Sequence, residues 1–265
     1  MKELLRIDEI RSIELSILDH IDAVCKKNSI RYYLFYESLL GAIRHKGFIP
    51  WDDDIDIVMP RPDYDKFVQL YKSDDSFELK KPGDNDYTYE FAKVFDKHTI
   101  VEEDVTGESD YGIWVDIFPL DGLSKLDKIQ NLRLFFLQRS RVASIYSKPP
   151  RSSLLFKPFI YAYWRICKWI GCPYFIRKID KLSRKYLYGD TNYVGFAPSI
   201  HSKNKYLDID WFNDSIDIPF ENKEYVAPKE WDACLTSLYG DYMVLPSEDK
   251  RQPHNVRAYR RNENL

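Results

Sequence analysis

Asp52, Asp53, Asp54 and Asp56 place four carboxylates within five residues, with Ile55, Ile57 and Val58 around them. Like charges at that density repel, so the segment folds where a cation gathers them or water solvates them. A strand over 55–59 would turn Asp54 and Asp56 to one face and Ile55 and Ile57 into a core. Oxygen ligands on a rigid strand suit Mg²⁺, with Mn²⁺ as its substitute, and such ions commonly bridge protein carboxylates to substrate phosphates. The favoured reading is a metal platform for phosphoryl chemistry. Its rival is a solvated acidic turn, against which the β-branched neighbours, the upstream Gly47 turn and the opening of a strand all count.

The residues before the platform suit a phosphate. A strand over 31–36 leads to Ser38, which caps a short helix over 39–44 that Gly47 ends. The turn at Ser38, with Gly41 behind it, offers free backbone N–H groups and the positive end of the helix dipole. Asp116, in a strand over 111–121 that stops at Pro119, is the candidate third carboxylate, because Val115 and Ile117 face the opposite way. An ordinary solvent-side residue is the alternative there. Arg44, His45 and Lys46 are cations available to offset charge on phosphate oxygens, or else a solvated helix end favoured by its dipole.

Other elements must carry these residues. Ile10, Ile13, Ile17, Ile21 and Val24 recur at helical spacing, predicting a helix from an Asp8 cap to about Lys27, stopped by Asn28. Helices are also expected from Pro60 to about Tyr71, over 127–146, 158–170 and 173–188, and from Pro228 to Tyr239. Residues 87–95 and 98–103 read as an antiparallel pair, and Phe220 to Tyr225 as a short hairpin. Aromatics are abundant, with 20 Tyr, 15 Phe and 6 Trp, and must supply much of the core. The chain length of 265 residues and the absence of a repeat or low-complexity linker fit a single α+β unit with a helical insertion.

Charge is near balance overall, at −3, so no whole-molecule field points to nucleic acid and no nucleic-acid partner is expected. Locally it is uneven. Residues 126–187 hold 14 Lys or Arg against 2 Asp, an excess of +12 that leaves −15 for the remainder. That segment is either a solvated helical face or a contact for a phosphorylated lipid, an anionic glycan or a membrane surface. Cys25, Cys167, Cys172 and Cys234 lack C-x-x-C pairing and read as buried thiols in a reducing compartment. The first eight residues are charged from Lys2 onward without the apolar centre of a signal peptide. The expected location is cytoplasmic, with peripheral contact at the inner membrane face.

Four blocks resemble the LicD family: LLGAIRHKGFIPWDDDID from Leu39 to Asp56, WVDIFPLDG from Trp114 to Gly122, YGDYMVLP from Tyr239 to Pro246, and KRQPH from Lys250 to His254. They fall in the family's order and span most of the chain. The resemblance implies an α+β, nucleotidyltransferase-like mixed sheet with flanking helices. It implies an enzyme moving phosphocholine from CDP-choline to a glycan hydroxyl, foremost of lipopolysaccharide, with release of CMP. Donors carrying ribitol, glycerol or sugar phosphate, and teichoic acid or capsule acceptors, are the alternatives, with a non-catalytic nucleotide- or glycan-binding module behind them. Asp54 and Asp56 would be the metal pair, Asp116 the third carboxylate, and Asp52 a contributor. Arg251 and His254 would close over the leaving group or lie on the tail surface. Trp51, Trp114 and Tyr111 would offer aromatic faces to a quaternary ammonium or pack in the core. Glu37 departs from the pattern, since the family commonly has Gly before the Ser or Thr of the phosphate turn. The division implied is a catalytic core over 1–125, a basic helical acceptor side over 126–190, and a part over 191–265 completing the same unit.

Overall fold

The computed structural model describes residues 4–103, 107–108, 111–150, 156–199, 206–251 and 257–261. α1 (Ile7–Asn28) buries Ile10, Ile17, Leu18, Ile21 and Cys25; of the stripe expected from spacing, Ile13 and Val24 are only half-buried, and Leu18 and Cys25 complete the buried side instead. Its start differs from expectation: Arg6 is the cap position, and the Glu9 carboxylate accepts the Arg6 backbone N–H at 3.1 Å. Its end is Ser29, in the left-handed region at φ 52°. β1 is only Tyr33–Leu34, because the chain turns at Phe35 into α2 (Tyr36–His45). Ser38 therefore lies inside the first helical turn rather than capping it. Lys46, at φ 62°, ends α2 in place of Gly47.

β2 (Asp56–Pro60) runs straight into α3 (Arg61–Leu70), whose second residue is Pro62, a position needing no N–H donor. β3 (Phe77–Lys80) and β4 (Ala92–Asp96) follow, then β5 (Thr99–Glu103), β6 (Gly107–Glu108) and β7 (Trp114–Leu123). The antiparallel pair expected from 87–103 does not form. β4 joins β3 and β7 in the main sheet, while β5 joins β6 and a C-terminal strand. Residues 87–91 are irregular, and β3, half-buried throughout, packs Phe77 and Leu79 against the core with Glu78 and Lys80 between and after them. β7 also continues past Pro119. β4 has stopped pairing by then and β8 has not begun, so no neighbour on that edge needs the missing N–H.

The helical segment comprises α4 (Lys128–Ile145), α5 (Lys157–Ile170) and α6 (Cys172–Ser183), close to the expected spans except that α6 ends five residues early. β8 (Tyr193–Gly195), β9 (Leu207–Asp208), the hairpin β10 (Ser215–Phe220) and β11 (Lys223–Pro228), α7 (Trp231–Tyr239) and β12 (Arg257–Arg260) complete the order. The main sheet runs β1-β2-β7-β4-β3, with β8 and β9 extending from the far end of β7. β2 and β7 are parallel and their neighbours antiparallel, giving a mixed sheet of α+β type. One large core unites α1, α2 and α3 with this sheet and the β10–β11 hairpin. Two small clusters, around Leu134 with Ile179 and around Cys167 with Phe175, hold the helical segment.

Candidate active site

The parallel register sets Asp56 directly opposite Asp116. β2 is buried throughout and β7 is buried apart from half-buried Trp114 and Phe118, and Asp56 and Asp116 are themselves only 8% and 7% exposed. Burial, followed by Asp54, Asp116, Glu37 and Asp52, pushes the Asp56 carboxyl well above the usual range. Burial and Glu37 likewise raise Asp52, to about 6. Asp52, Asp54, Asp56 and Asp116 thus share one neighbourhood, and Glu37 belongs to it as a fifth carboxylate. The Tyr239 hydroxyl bonds to Glu37, and burial together with that bond drives the phenol far up.

Ser38 is buried and spoken for: its Oγ accepts the Asp56 backbone N–H at 2.8 Å, locking α2 to β2. The Tyr36 residue that opens α2 has φ 47°, a conformation rare outside glycine. The first-turn N–H groups of a helix have no partner within it, which here applies to those of Tyr36, Glu37 and Ser38. Gly41 serves packing. A Cβ there would stand 2.4 Å from the Gly47 carbonyl oxygen, which closes the loop back on α2.

A cationic group surrounds Trp51, the residue before Asp52. The Arg251 guanidinium lies 5.4 Å from the Trp51 ring centre, and the His45 ring meets the same indole edge-on at 6.3 Å. Arg44 donates to the Tyr242 carbonyl at 2.9 Å and to His45 Nε2 at 2.9 Å. Burial and Arg44 hold the His45 imidazole below its ordinary value, and burial with Arg251 does the same to Arg44. Lys46 is exposed and acts through its backbone, its carbonyl accepting the Glu221 N–H at 2.8 Å. His254 lies outside the described residues.

Comparison with known proteins decides the family. Residues 29–143 match the model described as LicD/FKTN/FKRP, nucleotidyltransferase domain. The lipopolysaccharide cholinephosphotransferase LicD of Haemophilus influenzae is 30% identical over 95% of this chain and 97% of its own length. The chain belongs to the LicD family. An uncharacterized Rickettsia typhi protein is 38% identical over a shorter stretch, 24% of this chain and 21% of its own length. An uncharacterized protein of Rickettsia prowazekii is 58% identical over 12% of each chain.

Three residues of this LicD-family site were not singled out from sequence. Lys93, 3% exposed, places its ammonium 2.9 Å from Asp116 Oδ1. The same nitrogen lies 4.0 Å from the Trp114 ring centre and 4.3 Å from that of Tyr89. A lone lysine in the otherwise apolar Ala92–Phe95 run was the available signal. Arg11 grips the acidic loop from behind, donating to the carbonyls of Ile49, Pro50 and Asp52 at 2.9, 3.1 and 2.6 Å. Glu14, one turn later, is 2% exposed; burial and then Asp54, Asp53 and Asp52 raise it strongly.

Among the described residues, no three carboxylate, imidazole or thiol groups already form a metal cage. The donor set nevertheless suits a hard divalent ion. It is all oxygen, with Asp56 and Asp116 paired on adjacent strands and Asp52 and Asp54 in the loop before β2, and its mutual repulsion is what a cation relieves. Tyr111 stacks on Phe95 with centroids 4.7 Å apart and donates to the Asp86 carbonyl, so it belongs to the packing behind β4.

Proposed function

We propose that this chain transfers phosphocholine from CDP-choline to a sugar hydroxyl of lipopolysaccharide, releasing CMP. The observation carrying the reading is the apposition of Asp56 and Asp116 among Asp54, Asp52 and Glu37, with Trp51, next to Asp52, meeting His45 and Arg251. The activity named for the Haemophilus influenzae relative supplies the substrate class. Asp54, Asp56 and Asp116, with Asp52, would hold Mg²⁺, which when bound supplies charge neutralisation at the phosphate oxygens.

The chain's own groups do the rest. N–H groups at the start of α2 orient the diphosphate. Arg44 and Arg251 offset charge on the departing CMP. The acceptor hydroxyl attacks the β-phosphorus in line, and its proton passes to the carboxylate cluster. Trp51 offers its indole face to the trimethylammonium. On the acceptor side, a groove of about 600 Å³ between α4 and α6 has Phe136, Leu137 and Leu182 along it and Arg133, Lys178 and Lys181 at its edges. That combination suits a phosphorylated glycolipid.

A polyol donor is the second reading. Trp51 and Trp114 already face Arg251 and Lys93, which leaves less aromatic surface for a quaternary ammonium. Incubation with Mg²⁺, a truncated lipopolysaccharide and CDP-choline, CDP-ribitol or CDP-glycerol in turn, following CMP, separates the two. CDP-choline should be turned over fastest. Preference for another donor reassigns the substrate, and no turnover of any leaves a binding module. Asp56→Asn should fold and lose at least about a hundredfold in rate; an unchanged rate removes Asp56 from the chemistry.

A further inference from the structure

α5 is packed along one narrow side only. Cys167 is its one buried residue, and Trp164 joins it against Ala143 and Phe175. Phe159, Tyr163, Ile166 and Ile170 recur at i, i+4, i+7 and i+11, with Trp169 beside them, and form a second stripe. Most of that stripe lies in solvent: Trp169 is 87% exposed, Phe159 73% and Ile166 55%, while the Tyr163 hydroxyl lies 2.7 Å from Ser140 Oγ on α4. Lys157, Arg165 and Lys168 occupy the remaining side by the same periodicity. The helix contains no acidic residue.

We propose that α5 is a membrane-docking helix that seats the protein on a bilayer bearing anionic lipid. The aromatic and aliphatic stripe enters the headgroup boundary, while the three cations meet lipid phosphates. Charge selects this occupant. The helix lies within the segment of +12 excess, so a second copy laid against it would bring the same positive surface. A basic side joined to a Trp- and Phe-bearing side is the composition of helices that lie in the interface plane. Spanning is excluded for α5: its 14 residues reach about 21 Å, short of a hydrocarbon core of about 30 Å. Among the described residues, no helix is long and apolar enough to cross. The proposal needs no donor or acceptor, so it stands or falls apart from the transferase reading.

The test is sedimentation of the full chain with phosphatidylcholine vesicles, with and without phosphatidylglycerol, alongside analytical ultracentrifugation of the protein alone. Binding should require the anionic lipid, weaken with salt and shift tryptophan emission to the blue. Trp169→Ser with Phe159→Ser should lower the partition constant by about tenfold or more, with the circular dichroism spectrum unchanged. Arg165→Glu with Lys157→Glu should remove the dependence on phosphatidylglycerol. Absence of vesicle binding, equal binding to neutral vesicles, or wild-type binding by the Ser pair overturns the proposal. So does a dimer that the Ser pair converts to monomer, which assigns the stripe to a second copy.

Discussion

Lys93 stands between Asp116 and the Trp114 ring, and its removal would leave a buried carboxylate facing other carboxylates. Truncating one member of such a pair typically costs about 3–5 kcal/mol. Lys93→Met should therefore unfold that much more easily in denaturant, and Asp116→Asn in the same chain should recover most of the loss. Added Mg²⁺ should stabilise the single variant more than the wild type. Equal midpoints for wild type and Lys93→Met would remove the lysine from the charge balance. The difference in legibility between these two residues is physical. Asp116 was readable because a carboxylate in an apolar strand is conspicuous. Lys93 was readable only as an anomaly, since nothing local tells which distant strand will supply its partner. Ser38 reads from sequence as the cap of a phosphate turn, whereas it lies inside the first turn of α2; its role there, holding the Asp56 N–H, depends on a pairing that sequence spacing does not reveal.

At the scale of elements, α4 illustrates a start signal that could be read. The Asp127 carboxylate accepts the Gln130 N–H at 2.9 Å and the Tyr186 hydroxyl at 3.0 Å, and pairs with Lys185. Lys185 and these bonds lower its carboxyl to about 2 from an ordinary 3.8. Because the folded value lies below the unfolded one, the stabilisation is complete above the ordinary value and is lost as pH falls towards 2. Asp127→Ala should cost about 1 kcal/mol at neutral pH. The gap from wild type should close in acid, as followed by denaturant titrations across pH. Helices in general were legible, because 3.6-residue periodicity and caps are local. Strands were less so. The 31–36 run is β-prone yet yields only Tyr33–Leu34, since Tyr36 adopts a left-handed backbone and starts α2. The pairing expected within 87–103 failed because sheet partners are chosen by the whole fold.

For the whole molecule, the separation of a +12 helical segment from a −15 remainder is the dominant electrostatic fact. If that segment receives an anionic glycolipid, ionic strength should divide the two activities. Transfer to lipopolysaccharide should fall as salt is raised, while CMP release to water should hold steady, because exposed charges are screened over about 10 Å at 0.1 M. Parallel decline of both rates would place the salt effect at the donor instead. Assembly has its own consequence, written in the β10–β11 turn. There Glu221 accepts the Phe48 N–H at 3.0 Å and donates its own N–H to the Lys46 carbonyl, across 173 residues in the first case. The loop leading to the aspartates is thus clasped by a hairpin that the ribosome makes much later, roughly 9–35 s at ordinary elongation speeds. A nascent chain halted before that hairpin would carry the acidic motif with its clasp still unmade, so the pocket matures only after Glu221 has been synthesised.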